Sequence, residues 1–136
     1  MSIIGFQLTK LAGNRSEFSG RLQVTHNIQI QSVKAKDVQF TTDAQTALQV
    51  DFLFEQSFEP KAGKIEIEGF TVVLTEKAKA DTILAEWEKK KSVSQDVLSE
   101  VMHYVYNKSL THSIILAKEI GLPCPIPFPK LDVKKP

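Results

Sequence analysis

A single cysteine, Cys124, cannot close an internal disulfide, and the chain has no Cys-x-x-Cys pair or closely spaced histidine pair to form a zinc ligand set. His103 and His112 lie nine residues apart in one helical stretch, on opposite sides of it, and His26 falls in a strand-like segment. There is no Gly-rich phosphate loop and no Gly-x-Ser-x-Gly elbow. No apolar run approaches the roughly eighteen residues of a membrane span. The start, Met1-Ser2-Ile3-Ile4-Gly5, lacks both the charged region and the apolar core of a signal peptide. With one thiol, this implies a cytoplasmic protein. Charge of one sign is missing as well: 17 basic against 16 acidic residues leave a net charge of +1, which argues against a nucleic-acid partner. These absences predict a protein that is not an enzyme and takes no metal, no cofactor and no membrane.

At 136 residues the chain reads as one domain, 1–136, long enough to own a core. Residues 1–76 have the alternation of an antiparallel sheet. Ile4, Phe6 and Leu8 alternate before the turn residues Ala12-Gly13-Asn14, and Leu22, Val24, Ile28 and Ile30 alternate with His26 in phase. A short strand is expected at 37–40. Leu48, Val50, Phe52, Phe54 and Phe58 form the strongest run of period two. Glu59-Pro60-Lys61-Ala62-Gly63 then turns the chain into Ile65, Ile67, Gly69, Thr71 and Val73.

A register with Phe58 opposite Ile65 sets Gly69 across from Phe54 and Glu55 across from Glu68. Paired carboxylates are glycosidase chemistry, but no aromatic sugar platform lies on these strands. The face opposite the core would carry Leu53, Phe70, Val72 and Leu74, where a two-layer domain is expected to be polar. Either that face binds something, or a bulge at Gly69 turns these side chains inward.

Two helices are expected over 77–121. The first, 77–91, is amphipathic, with Ala80, Ile83, Leu84 and Trp87 on one side; Lys89-Lys90-Lys91 at its end suits the helix dipole and is also the one candidate phosphate contact. The second begins at the capping-box pair Ser92 and Gln95 and ends at Gly121, with Pro123 forbidding continuation. Tyr104, Tyr106, Leu110, Ile114 and Ile115 widen its apolar surface beyond one stripe, which calls for burial on two sides. Tyr104, Leu110, Ile114 and Ile115 are therefore candidates for a homo-oligomer interface. The Pro-rich tail, 122–136, is expected to be extended, because each residue before a proline is pushed out of the helical region. It either packs on its own domain or reaches a neighbour.

Four strands, a short helix carrying Trp87, and a long helix ending in Gly121-Leu122-Pro123 with Pro125 close behind resemble the SecB-like family. The residue-level match lies in Pro60-x-x-Gly63 through Gly69 and in Leu122-Pro123-Cys124-Pro125. The resemblance implies an α+β fold with a four-stranded antiparallel sheet, two C-terminal helices and dimers or dimers of dimers. It also implies binding of non-native polypeptide clients along apolar grooves, without ATP. Leu53, Phe70, Val72 and Leu74, with Ile126 and Phe128 of the tail, are the candidate client contacts. Unlike the strongly acidic export members, this chain is balanced in charge, and Asp132-Val133-Lys134-Lys135-Pro136 offers no set of zinc ligands. The alternatives are a non-catalytic oligomeric scaffold, or an RNA- or ribosome-associated factor using Lys89 to Lys91.

Overall fold

A computed structural model of the chain describes residues 2–36, 45–93 and 95–126. The strand expected at 37–40 and the tail residue Phe128 lie outside the described residues. Four strands come first: β1 (Ser2–Arg15), β2 (Gln23–Lys36), β3 (Gln45–Glu59) and β4 (Gly63–Glu76). Two helices follow, α1 (Lys77–Lys90) and α2 (Gln95–Glu119). The sheet is antiparallel with order β1-β4-β3-β2, so the central hairpin β3–β4 is flanked by β1 and β2 as edges.

The hairpin is the core because its alternation is uninterrupted. Phe52, Phe54, Phe58, Ile65 and Ile67 are all buried on one face. Ala62 N–H donates to the Phe58 carbonyl at 2.8 Å, closing a turn tight enough to pair Phe58 with Gly63. The register is therefore two residues off the expected pairing of Phe58 with Ile65. Since side chains alternate with period two, the faces are unchanged and only the partners move. Phe52, not Phe54, lies across from Gly69, and Glu66, not Glu68, lies across from Glu55. A Cβ at Gly69 would strike the Gln7 carbonyl and come within 3.1 Å of the Phe52 ring, so this position admits only glycine.

Register shifts fall on the edge strands, at Ile3/Gly5 and Leu8/Lys10 in β1 and at Ile30/Ser32 in β2, whereas β3–β4 pairs without one. Bulges concentrate at sheet edges, where one extra residue twists the strand away from flat pairing. No bulge at Gly69 turns Phe70, Val72 and Leu74 inward. They lie on the face away from the helices, although Val72 is buried there at 7% exposure between Phe70 and Leu74.

Both edge strands outrun their sequence signals. The expected turn at Ala12-Gly13-Asn14 is strand, pairing with Glu66, Ile65 and Lys64, because β4 offers it a full-length partner. In the helices, α1 stops at Lys90 and Lys91 takes the left-handed cap with φ 51°. The long helix starts at Gln95 rather than just after Ser92, which removes Ser92 from the capping position. Its exit follows the glycine logic. Gly121 has φ 75°, Leu122 N–H donates to the Ala117 carbonyl at 2.8 Å and Gly121 N–H to the Lys118 carbonyl at 3.3 Å. This is the Schellman arrangement, with Leu122 buried beside it.

Both helices lie on one face of the sheet, α1 against β2, β3 and β4, and α2 against β1, β3 and β4. No helix among the described residues is long and apolar enough to cross a membrane.

Candidate functional site

Along α2 the buried positions recur every fourth residue: Val97, Val101, Val105, Ser109, Ser113 and Ala117. Such a row is an i+4 ridge, inclined to the helix axis, and here it seats the helix on the sheet. One residue ahead of the ridge runs a half-buried apolar row, Met102, Tyr106, Leu110 and Ile114. This row faces the β2 edge. Ile28 of β2 lines a groove with Met102, Tyr106, His103, Ser99 and Asn107, of about 480 Å³. Val24 of β2, with Phe18, Leu22, Ile114 and Leu122, lines a second groove of about 820 Å³, at whose rim stand Arg21 and Lys118. Since Ile28 pairs with the Met102 end and Val24 with the Ile114 end, α2 runs opposite to β2 and the two grooves form one trough.

His26 and Tyr106 bridge the trough between its two halves. Their rings meet edge to face at 6.0 Å, and Tyr106 also meets Phe54 at 6.2 Å. Gln56, fully buried in β3, holds the His26 ring from below through a 3.0 Å hydrogen bond between Nε2 and Nδ1. His26 itself is exposed. The trough thus has an apolar floor, a strand edge along one side that is unpaired among the described residues, and a fixed polar ring at its centre.

The other flank of α2 is closed. Tyr104 meets Phe6 of β1 edge to face at 5.8 Å, and Phe6 stacks on Phe52 at 5.6 Å. Farther along, Gly13 leaves room for Ile120, whose Cδ1 would lie 3.0 Å from a Cβ there.

The bare face of the sheet divides into two halves. Leu74, Ala47, Val72 and Phe70 cluster at one end, with Leu53 diagonal to Phe70, and Lys36 lays its ammonium 4.7 Å over the Phe70 ring. Ser32, Gln49 and Asp51 are joined by side-chain hydrogen bonds beside them. The other end is ionic. Glu66 meets Lys10 at 3.1 Å and Lys64 at 3.1 Å, and Lys64 also reaches Glu55 at 3.6 Å. Hydrogen bonds from Lys10 and Lys64 hold the Glu66 carboxyl below its ordinary range, and the bonds to Glu66 raise both lysines. Glu66 therefore belongs to an ion-paired surface cluster, and its lowered carboxyl is the opposite of what a general acid requires.

The candidate residues are thus distributed over several surfaces. Leu53, Phe70, Val72 and Leu74 share the bare face; Ile114 lines the trough, and Leu110 is half-buried one turn before it; Tyr104 is on the closed flank. Ile115 is 53% exposed, on the side of α2 away from the sheet. Ile126 is half-buried just beyond Pro125, which is buried. Among the described residues no group of three His, Cys, Asp or Glu side chains could hold a metal ion. Phe18, Val24, Ile28 and Met102 carried no distinguishing signal as trough residues, because alternation marks a half-buried strand without saying that it is an edge. The one hint was the apolar width of α2.

No family model and no curated protein matches the chain. Among solved structures, it is similar to the Mycobacterium tuberculosis Rv1957 SecB-like chaperone, determined in complex with a ChAD peptide from the Rv1956 HigA1 antitoxin. The match covers 99% of this chain and 91% of that one, with a TM-score of 0.51 and 10% identity. The fold of this chain, a four-stranded antiparallel sheet followed by two helices, is SecB-like.

Proposed function

We propose that this protein is an ATP-independent chaperone that holds non-native polypeptide, with the trough between β2 and α2 as its principal client site. The single observation that carries this reading is that Met102, Tyr106 and Ile114, of one half-buried row on α2, line open grooves beside an edge strand. Apolar surface of this kind gains when covered, about 1.5–3 kcal/mol for each large side chain fully removed from water. The strand edge beside it offers backbone partners to an extended chain. From Gln95 to Lys118 the helix runs about 35 Å, the length of roughly ten extended residues. The mechanism is mass action: a bound segment is withdrawn from aggregation without consuming a nucleotide. The similarity to a chaperone solved with a peptide supports the same reading. No catalytic role is proposed, and the site of action we propose is the cytoplasm.

Leu53, Phe70 and Leu74, half-buried around Val72, which is itself too buried for direct contact, form a second, shallower apolar site for clients; for the tail, Ile126 and Phe128 are proposed as further client contacts. Self-association would use the other flank. Among the described residues the large apolar side chains left exposed are Ile4 and Leu11 on β1 and Ile115 on α2, and a second copy covering β1 and the outer side of α2 near Tyr104 would bury them.

The test is suppression of aggregation. The full chain, mixed near stoichiometry with a chemically denatured substrate, is expected to slow light scattering with or without ATP. An Ile114→Glu variant is expected to lose most of that effect while keeping its circular dichroism. A wild-type chain that leaves scattering unchanged would leave only a scaffold.

A further inference from the structure

The two halves of the trough differ in charge. The half around Ile114 carries Arg21 and Lys118 at its rim and no carboxylate among its lining residues. The half around Met102 is lined by neutral amides and hydroxyls with His103, and holds neither a lysine nor a carboxylate. Arg21 and Lys118 are exposed and form no ion pair among the described residues, whereas Lys10 and Lys64 are engaged with glutamates on the bare face. Leu122, Pro123 and Cys124, which follow Gly121 at that end, are neutral, whereas the Arg15 guanidinium lies beside Gly121, 3.7 Å from where its Cβ would be. Arg21 and Lys118 therefore stand at one end of an apolar trough with no carboxylate among its lining residues and no ion pair among the described residues, and Arg15, whose guanidinium lies 5.0 Å over the Phe18 ring, adds a third cation nearby.

We infer that the trough selects extended apolar segments that carry acidic residues at one end, and that it binds them in one orientation, with the acids at Arg21 and Lys118. This deepens the chaperone reading and rests on it. The occupant follows from complementarity: apolar side chains cover Val24, Ile28, Met102 and Ile114, while a carboxylate supplies the partner that Arg21 and Lys118 lack. A basic-flanked segment would set like charges together at the same end, which disfavours it. Selection of this kind is independent of the overall charge of the protein, which is only +1.

The experiment uses the full chain and three fluorescein-labelled ten-residue peptides with one shared apolar core, ending in Asp-Asp, Asn-Asn or Lys-Lys, followed by fluorescence anisotropy. At about 50 mM salt the Asp peptide is expected to bind about tenfold more tightly than the Asn peptide, and the Lys peptide most weakly. The advantage is expected to vanish at about 0.5 M salt, where screening is nearly complete. It is also expected to vanish in the Arg21→Gln, Lys118→Gln double variant, in which the Asp and Asn peptides should bind equally. Equal affinity for the Asp and Asn peptides at low salt, or an advantage that survives the double variant, would overturn the charge selection and leave the trough reading standing. If none of the three peptides bound, both would fall.

Orientation is read from Cys124, the sole thiol, exposed in the cationic half. A peptide bearing an activated disulfide at its acidic end is expected to exchange with Cys124 at least fivefold faster than one bearing it at the opposite end. Equal rates would contradict a fixed orientation.

Discussion

Tyr104 and Tyr106 stand two residues apart on the same helix and meet opposite edges of the same sheet. Tyr104 closes its side: its ring abuts Phe6, which in turn stacks on Phe52, and a glycine at position 13 lets Ile120 settle against β1. Tyr106 only bridges its side, touching His26 and Phe54 with open grooves before and after it. The difference comes from what each edge strand supplies. The β1 edge offers an aromatic ring and a glycine, so helix and strand can fill one another. The β2 edge offers Val24 and Ile28, which line open grooves, and only His26, through Tyr106, meets the helix between them. One flank is built for stability and the other is left available for a partner.

This contrast can be broken from either side. The largest effect is expected from Phe6→Ala, which removes a ring from the closed flank and should cost about 2–4 kcal/mol in urea unfolding, since the gap between Phe52 and Tyr104 cannot easily collapse. Next comes Gly13→Leu, which forces Ile120 off β1 and should cost about 1–3 kcal/mol by overpacking, read as a lowered urea midpoint. On the open flank, Ile114→Ser should change stability by about 1 kcal/mol or less while weakening aggregation suppression severalfold, because the side chain is only half-buried before a client arrives. A variant of the open flank that unfolded as readily as Phe6→Ala would erase the distinction.

The smallest effect concerns pH and the ionic end of the bare face. The Glu66 carboxyl lies below its ordinary value of 4.5 in the folded chain. Its contribution is thus complete above that value and is lost as pH falls through the lower folded pKa. For Lys10 and Lys64, raised above 10.5, the contribution is complete below that value and is lost as pH rises through the higher folded pKa. The contribution of this cluster should therefore be constant between those limits, and a Glu66→Gln variant should show a shallower loss on the acid side in urea midpoints measured against pH.

Much of this fold could be read from residues. Phe52, Phe54 and Phe58 against Ile65 and Ile67 announce a buried hairpin, and Gly121 with Pro123 announces the end of α2. What period two cannot supply is an absolute register, so a turn two residues tighter than expected moved every cross-strand partner while leaving every face in place. Gly13 read as turn chemistry because its role, making room for Ile120, depends on a helix more than a hundred residues away in the chain. The trough was the least legible part. Val24 and Ile28 look like any half-buried strand until the order β1-β4-β3-β2 makes β2 an edge, and Arg21 and Lys118 become neighbours only once α2 runs back along it.

The central claim, that clients lie in the trough on the β2 side of α2, is tested most directly by placing a benzophenone amino acid at position 106 or at position 104 and irradiating with a denatured client present. Client adducts are predicted from position 106 and not from position 104. Equal adducts from both positions, or adducts from 104 alone, would contradict it.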